Sequence, residues 1–495
     1  MRSRNAILNI FASLLLQALT AISGLLVSRL ILQTFGSEVN GLVTSIVQFL
    51  SYVSLLEAGV GGVIRAALFR PLADHNNEQI SQIIKATRHF FKNIAYVFSV
   101  YVLILAVAYP FVVKGTFSWL YVFSLILIIS VSTFFEYFFC LPYINLLSAD
   151  QKVWIINLLN SAIVVINIGV LYLAISSGLG IHGVKVCGIL VYAIKPVFYA
   201  TYVKRHYHLI ETTGQYEIKQ KWNGLVHNVA QYVFNNTDVA LISLLINVAE
   251  VSVYSVYYAV ASGIERIITS VSVGCAAGIG DVIARNEKSQ LNRIVDLFEF
   301  VQSASATIFF SITAVLIVPF VNLYTSGVTD VDYVRPLFAY MLVLAELMYC
   351  IRSIYSTIIL NAGHYKQTQI NAIIEAVTNL VVSLMLISKL GITGVAIGTF
   401  CGMLVRTIMD VNYLSQNIAD RPVSRFVKCI LVNSIVFALS CLLGNLISID
   451  PVNWGIWVLN AVIVSIITAT VGFLVYWIFY KPQIHELLIR MKIVH

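Results

Sequence analysis

The chain has 495 residues, of which 59% are hydrophobic and 11% are charged, and its mean hydropathy is +0.87. This composition excludes a water-soluble globular domain and predicts a polytopic membrane protein. The net charge of +8 does not indicate nucleic-acid binding, because no basic run is interleaved with aromatic residues and membrane proteins collect Lys and Arg in cytoplasmic loops. The seven cysteines form no CxxC motif, so neither a zinc site nor a disulfide framework is predicted.

Apolar runs that are long enough to cross a bilayer as helices predict an all-α fold with about fourteen transmembrane helices. Two arginines precede the first run, as in a signal peptide, but the run exceeds a signal h-region in length and contains no convincing cleavage site. We therefore expect a retained first helix. The predicted crossings, in chain order, are 6–32, 41–68, 89–113, 119–147, 153–176, 180–202, 222–247, 252–280, 295–324, 334–361, 368–388, 391–415, 427–447 and 454–480.

The loops between these crossings carry charge asymmetrically. One side of the membrane collects 21 Lys and Arg residues, and the other has three, namely Lys114, Arg335 and Lys389. Because positively charged loops stay in the cytoplasm, both termini are predicted to be cytoplasmic. An even number of crossings agrees with this orientation.

The sequence also repeats itself. EVNG at 38–41 is echoed by EVSV at 250–253, an offset of 212, and GIHGV at 180–184 is echoed by GITGV at 391–395, an offset of 211. The repeat contains six crossings, an even number, so we expect two parallel lobes related by a pseudo-twofold axis along the membrane normal. The predicted domains are an N-lobe with helices 1–6 (1–210), a C-lobe with helices 7–12 (211–420) and a C-terminal helix pair with a cytoplasmic tail (421–495).

Polar and charged side chains concentrate in crossings one, two, seven and eight, the first two of each half, where they recur at helical spacing. A charge that faces lipid costs roughly 3 kcal/mol on insertion scales, so such residues normally face a bundle interior or a watery cavity. The candidate substrate-binding residues are Gln17, Arg29, Gln48, Glu57, Arg65, Gln231, Asn235, Asp238, Glu265 and Arg266.

A purely structural role is the alternative for each of them. Hydroxyl groups in membrane helices often only join neighbouring helices, and Glu57 with Arg65, or Asp238 with Arg29, could form internal ion pairs. We favour the structural role for eight further charges, because several lie near helix ends where long side chains reach the interface. These are Glu136, Lys195, Glu299, Glu346, Arg352, Glu375, Arg406 and Asp410.

The charges do not follow the repeat, since adding 212 to Arg29, Glu57 and Arg65 leads to Leu241, Thr269 and Ala277. An asymmetric lining suits a substrate with an anionic end and a neutral, hydroxyl-rich remainder. The planar guanidinium group matches phosphate oxygens in bidentate fashion, whereas Asn, Gln, Ser and Tyr suit sugar hydroxyls.

Two six-helix halves, two extra C-terminal helices, Ser28-Arg29 in the first helix and the stretch EAGVGGVIR at 57–65 resemble the polysaccharide flippases. These belong to the multidrug, oligosaccharidyl-lipid and polysaccharide (MOP) exporter superfamily. The resemblance implies an alternating-access transporter with a cavity lined by helices one, two, seven and eight. It would move an undecaprenyl-pyrophosphate-linked oligosaccharide, such as a cell-surface polysaccharide or teichoic acid-type precursor, to the outer leaflet. Arg29, Arg65 and Arg266 would contact the pyrophosphate or the glycan.

The resemblance further implies a non-enzyme without a cofactor, coupled to an H⁺ or Na⁺ gradient or to the membrane potential. No P-loop is present to bind ATP. We expect a monomer in a bacterial plasma membrane. Its expected partners are the lipid-linked oligosaccharide, membrane lipids and other polysaccharide-assembly proteins, with no nucleic acid.

Two other functions stay open at this point. A multidrug cation antiporter on the same fold would be expected to place an acid in the first helix, where this chain has Arg29. A membrane glycan polymerase or glycosyltransferase usually needs a long outer loop or domain. The longest loops here, about 69–88 and 203–221, are predicted to be cytoplasmic.

Overall fold

The computed structural model describes residues 2–57, 60–113, 117–210, 216, 236–284, 288–419, 421–447 and 452–490. Within these ranges the chain is helical and contains no strand, which confirms the all-α class. The α-helices are α1 (Arg2–Ser51), α2 (Ser54–Glu57), α3 (Val60–Ala73), α4 (Asn77–Ala108), α5 (Trp119–Phe135), α6 (Leu141–Ala149), α7 (Val153–Ser176), α8 (Ile181–Tyr192), α9 (Ile194–His206), α10 (Asn236–Leu245), α11 (Val248–Ala284), α12 (Lys288–Tyr324), α13 (Pro336–Asn361), α14 (Tyr365–Leu390), α15 (Ile392–Asn417), α16 (Ser424–Ile447), α17 (Trp454–Phe479) and α18 (Lys481–Arg490). A 3₁₀ turn (Tyr109–Phe111) follows α4, and one π-helical segment (Glu136–Cys140) joins α5 to α6.

Eleven helical segments of the described chain are long and apolar enough to cross a membrane, and each corresponds to one predicted crossing. The other three predicted crossings behave differently. Crossing seven lies mainly outside the described residues, which retain its end as α10, and crossing eight corresponds to the 37-residue helix α11. Crossing two is broken into pieces. The chain is therefore a multi-pass membrane protein, as its composition predicts.

The first two crossings meet at a glycine kink. Gly36 has φ 85° and ψ 175°, a conformation that glycine adopts at low cost, and it interrupts the 50-residue helix α1. After the kink the helix runs to Ser51, a turn follows, and crossing two continues as α2 and α3. The sequence predicts one continuous helix here, whereas the structure has a turn at residues 52–53, and Gly61 and Gly62 lie within helix α3. Irregular backbone at membrane depth is tolerated only where it is buried in protein or lines a cavity.

The chain forms two compact units. Unit 1 comprises Met1–Tyr232 and Asn247–Ser252, and unit 2 comprises Val233–Ile246 and Val253–His495. The predicted domain boundaries and the parallel relation of the lobes stay predictions. In unit 1, the buried side chains of α1, α3, α4 and α5 form one apolar core, which includes Leu42, Ile46, Ile64, Leu68, Phe91, Phe98 and Leu125.

One contact in unit 1 joins the two copies of the EV motif. The Asn40 side-chain amide donates a 2.7 Å hydrogen bond to Ser252 Oγ, and both residues are buried. Gly41 lies directly against the Val248 backbone, where a Cβ atom would overlap the carbonyl oxygen. The missing side chain at Gly41 therefore permits this close approach.

In unit 2, glycines bring α15 against α14. Gly394, Gly398 and Gly402 recur every four residues on α15 and contact the α14 backbone. This small-residue pattern is the usual way in which membrane helices approach closely. It places polar residues of both helices side by side. The C-terminal helices α16 and α17 pack on α12, where Gly444 contacts Val315 and Gly472 contacts Ile308.

Candidate functional site

The predicted residues of unit 1 lie on the first two crossings. Gln17 is exposed on α1, whereas Arg29 and Gln48 are half-buried on the same helix and each interacts with other groups. Glu57 ends α2 and is half-buried, and Arg65 lies on α3.

Arg65 has no ion pair and no hydrogen bond in the part of the chain that the structure describes, and its side chain is exposed. It lies within electrostatic range of Glu57, but the two form no salt bridge within 4 Å. Gly61 leaves room beside the guanidinium group, because a Cβ atom there would lie 3.4 Å from Arg65 Nη1 and 3.3 Å from Asn145 Oδ1. The guanidinium group is thus accessible rather than neutralised.

Glu57 lines a cavity of about 340 Å³ within unit 1, which we call the Glu57 pocket. Glu136, which the sequence analysis read as structural, lines the same cavity. Its carboxylate is 4.0 Å from Lys195 Nζ and its side chain is 45% exposed. No sequence pattern predicts that Glu136 lines the pocket, because Glu136 begins the π-helical segment that joins α5 to α6. Such segments occur often at functional sites. The pocket is lined by Val47, Leu50, Ser51, Glu57, Ile129, Ser132, Thr133, Glu136, Tyr137 and Leu141.

In unit 2, Asp238 on α10 is buried, with 7% of its surface exposed. Its carboxylate accepts hydrogen bonds from Tyr254 Oη at 3.0 Å, from Thr399 Oγ1 at 2.9 Å and, more weakly, from Asn379 Nδ2 at 3.5 Å. These donors come from α11, α15 and α14 and are all uncharged. The sequence identifies Asp238 but not its partners, because Asn379 and Thr399 lie 141 and 161 residues further along the chain.

Asp238 also lines a small acidic pocket of about 70 Å³ in unit 2. Glu265 and Glu346 line it too, so three carboxyl groups share one cavity, and none of the described lining residues is basic. The sequence analysis predicted Glu265 for the site and assigned Glu346 a structural role. The other lining residues are Tyr254, Tyr258, Tyr349, Thr399 and Met403. No group of three acidic, His or Cys side chains in the described residues is arranged to hold a metal ion.

Arg266 follows Glu265 on α11. Its side chain is exposed, and among the described residues it makes no ion pair or hydrogen bond. The two remaining candidates, Gln231 and Asn235, lie outside the described residues.

Four charges that the sequence analysis read as structural form a buried cluster in unit 2. Arg352 Nη1 contacts Glu375 at 2.7 Å, Arg406 also contacts Glu375, and Arg406 Nε lies 3.7 Å from Asp410. The four side chains are at most 6% exposed. Two positive and two negative charges therefore neutralise each other inside the bundle. The sequence predicts instead that these long side chains extend toward the membrane interface.

Glu299 and Lys195 are paired as well. Glu299 accepts hydrogen bonds from Arg421 and from the Tyr355 hydroxyl, and Arg421 Nε also contacts Asp296 at 2.8 Å. Lys195 has Glu136 as its acidic partner. The contacts of Glu299 and Arg421 join the segment before α16 to α12 and α13.

No protein-family model and no curated protein matches the chain. Solved structures do match. A lipid II flippase, MurJ, in an inward closed conformation matches with a TM-score of 0.68 and 18% identity, over 97% of this chain and 100% of that chain. The eukaryotic MATE transporter AtDTX14 matches with a TM-score of 0.57 and 15% identity, over 84% of this chain and 96% of that chain. An inward-facing multidrug resistance MATE family transporter of the MOP superfamily matches with a TM-score of 0.57 and 16% identity, over 87% of this chain and 98% of that chain.

The chain has the fold of the MOP exporters. The resemblance inferred from the sequence is confirmed at the level of the fold. At identities of 18% and below, the likeness extends to the architecture, and the cargo has to be argued from the side chains.

Proposed function

We propose that this protein is a flippase that moves an undecaprenyl-pyrophosphate-linked oligosaccharide from the cytoplasmic to the outer leaflet by alternating access. The fold supports a transporter, and the match to the lipid II flippase extends over the whole length of that protein. The proposal includes both termini in the cytoplasm and a location in a bacterial plasma membrane. It has no catalytic residue and needs no cofactor.

The observation that carries the proposal is the exposure of the Arg65 and Arg266 side chains and their lack of a salt bridge among the described residues. Each arginine lies in a predicted crossing, is exposed, and forms no salt bridge within 4 Å among the described residues, although Arg65 lies within electrostatic range of Glu57 and Arg266 within that of Glu265. A guanidinium group in a membrane segment is costly unless it meets an anion or water. A diphosphate supplies that anion with the planar geometry that arginine matches in bidentate fashion.

The acidic pocket of unit 2 supports coupling to a cation gradient. Asp238 has three neutral hydrogen-bond donors, which orient the carboxylate but leave its charge uncompensated. Glu265 and Glu346 add two more carboxyl groups to the same small cavity. We therefore propose that H⁺ or Na⁺ binds in this pocket.

Arginine replacements test the cargo. Reconstituted protein would be supplied with a lipid-linked diphosphate oligosaccharide, and its appearance on the far leaflet measured with a membrane-impermeant glycosidase. We expect Arg65→Ala and Arg266→Ala each to lower the initial rate roughly tenfold or more, because a charge-assisted hydrogen bond is lost. Lysine at either position should retain partial activity, since the charge stays and the bidentate geometry is lost.

Arg70→Ala is the matched control for Arg65. Arg70 lies on the same helix α3, its side chain is 92% exposed and it pairs only with Asp74, four residues away. We expect near wild-type rates from it. Equal rates for wild type, Arg65→Ala and Arg266→Ala would contradict the assigned role of both arginines.

A multidrug cation antiporter is the second candidate, because the acidic pocket of unit 2 would also suit a cationic drug and two MATE transporters share the fold. Export of an organic cation, together with no movement of the lipid-linked oligosaccharide, would favour it. The reported neighbours are transporters, so the comparisons lend no support to a glycan polymerase or glycosyltransferase.

A further inference from the structure

The Glu57 pocket contains hydrogen-bond acceptors in excess. Its polar lining consists of the carboxylates of Glu57 and Glu136 and the hydroxyls of Ser51, Ser132, Thr133 and Tyr137. A volume of about 340 Å³ lies at the lower end of the range for small-molecule sites, about 300–1,000 Å³. The cavity is therefore large enough for one compact polar group of a substrate.

Three of the four hydroxyl protons are already used inside the protein. Ser51 donates to the Gln48 carbonyl at 2.6 Å, and Ser132 donates to the Ile129 carbonyl at 3.1 Å. The Tyr137 hydroxyl donates to the Glu57 carboxylate. Carboxylates only accept hydrogen bonds, and a hydroxyl whose proton is engaged offers only lone pairs. The pocket therefore offers mainly lone pairs, and it favours a ligand that brings its own O–H or N–H donors.

The charge of the lining also restricts which ligands can bind in the Glu57 pocket. Two carboxylates face the cavity, and among the described residues no basic side chain lines it, since Lys195 reaches Glu136 only at 4.0 Å from outside the lining. A phosphate would meet negative charge and acceptor oxygens. A sugar ring brings several hydroxyl donors without negative charge, and hydrogen bonds to a carboxylate are stronger than those to a neutral acceptor.

Arg65, which would bind an anion, and Glu57, which accepts hydrogen bonds, are close together in the chain. Arg65 is within electrostatic range of Glu57, and only residues 58 and 59 separate α2 from α3. A substrate in which a sugar is joined to a diphosphate presents the same two chemistries side by side. One end of such a molecule suits Arg65 and the other suits the carboxylates.

We infer that the Glu57 pocket is a sugar subsite, which binds the hydroxyl groups of the sugar unit attached to the diphosphate, with Glu136 and Glu57 as the main acceptors. This inference rests on the proposed flippase function and deepens it. It divides recognition in unit 1 between Arg65 for the diphosphate and the Glu57 pocket for the sugar. The pocket thereby selects substrates by the hydroxyls of that proximal sugar.

Direct binding measurements test the subsite. Purified protein would be titrated with two probes, a short-chain prenyl diphosphate and the same prenyl diphosphate carrying one hexose. We expect Glu136→Gln to raise the Kd for the hexose-bearing probe roughly tenfold, because glutamine keeps the shape and replaces an acceptor oxygen by a donor. The Kd for the sugar-free probe should stay at the wild-type value. Arg65→Ala should weaken both probes.

Lys195→Met distinguishes a sugar contact from a structural ion pair. If Glu136 acted only through its pairing with Lys195, both variants would weaken the hexose-bearing probe equally. The subsite inference expects Lys195→Met to bind that probe within about twofold of wild type, because a pair at this distance and exposure contributes little.

The possible outcomes separate the two proposals. Unchanged binding of the hexose-bearing probe by Glu136→Gln would overturn the sugar subsite and leave the flippase proposal intact, provided that Arg65→Ala still weakens both probes. A Glu136→Gln variant that loses only Na⁺ dependence, with sugar affinity unchanged, would make the pocket an ion site and also overturn the inference. Failure of wild type to bind either probe would contradict the flippase function itself.

Discussion

Asp238 illustrates how a single buried charge can be held without a counter-charge. Three neutral side chains donate to its carboxylate, the neighbouring acids Glu265 and Glu346 line the same pocket, and none of its described lining residues is basic. The Arg352 cluster of the same unit represents the opposite arrangement, in which two acids and two arginines balance. A balanced cluster stabilises a bundle, whereas an unbalanced pocket attracts a cation.

Asp238→Asn tests this difference. The substitution keeps the size of the side chain, removes its charge and replaces one acceptor oxygen by an N–H donor. We expect transport to lose its dependence on an imposed Na⁺ or H⁺ gradient and its rate to fall roughly tenfold or more. The measurement is the initial rate in proteoliposomes with and without each gradient.

Asp332→Asn is the control for the charge change, because Asp332 is 61% exposed and its contacts, with Arg335 and the Val334 backbone N–H, are local. It should respond to the gradients as wild type does. If Asp238→Asn retained the full gradient response, the coupling cation would have to bind elsewhere.

The sequence identified Asp238 by its place in a polar helical stripe, but it could not identify the groups around it. Asn379 and Thr399 belong to helices that come near Asp238 only after folding, and nothing local marks them as its donors. Glu136 and Glu346 were assigned structural roles for the same reason. Whether a charged residue lines a pocket or an ion pair depends on packing, which a periodicity does not record.

At the scale of elements, the α14–α15 pair determines the geometry of the Asp238 site. Gly398 contacts Ser383 and the Asn379 backbone on α14, and Thr399 is the next residue on α15. The close approach of the two helices thus brings Asn379 and Thr399 to one carboxylate. Small residues permit this approach because no side chain separates the backbones.

Gly398→Ala should therefore disturb the site from a distance. A Cβ atom at this position would overlap Ser383 Oγ and lie 2.8 Å from the Asn379 carbonyl oxygen, so the helices must separate. We expect a loss of stability of about 1–3 kcal/mol, typical of overpacking, together with weaker gradient coupling. Thermal unfolding in detergent measures the first effect and gradient-driven transport the second.

Gly263→Ala provides the comparison, since Gly263 lies in helix α11 and a Cβ atom there would meet nothing within 4 Å. Alanine should leave stability unchanged or raise it by up to about 1 kcal/mol, because it is the better helix former. Equal unfolding temperatures for the two variants would show that the α14–α15 contact does not limit stability.

Element boundaries were largely predictable because long apolar runs are decisive in a membrane protein. Eleven predicted crossings have their own helical span in the described chain. Crossing two was wrong as one uninterrupted helix, because hydrophobicity alone does not register the turn at residues 52–53, after Ser51. The sequence also offered no means of placing Glu57 in a pocket.

For the whole molecule, the fold and the side chains contribute different parts of the account. The architecture is that of the lipid II flippase and of the MATE transporters, which carry out different tasks on one scaffold. The cargo is inferred from Arg65, Arg266 and the acceptor-rich Glu57 pocket, and the energy source from the acidic pocket of unit 2. Transport of a lipid-linked cargo requires Arg65, Arg266 and the Glu57 pocket. A drug antiporter requires only the acidic pocket of unit 2.

Transport by the wild-type protein of two cargoes in the same vesicles tests the central claim most directly. Proteoliposomes would contain a lipid-linked diphosphate oligosaccharide and an organic cation, and both would be followed under an imposed Na⁺ or H⁺ gradient. The flippase account predicts that the oligosaccharide becomes accessible to the membrane-impermeant glycosidase faster than in protein-free vesicles, while the organic cation stays where it is. Gradient-driven export of the organic cation with no movement of the oligosaccharide would contradict it.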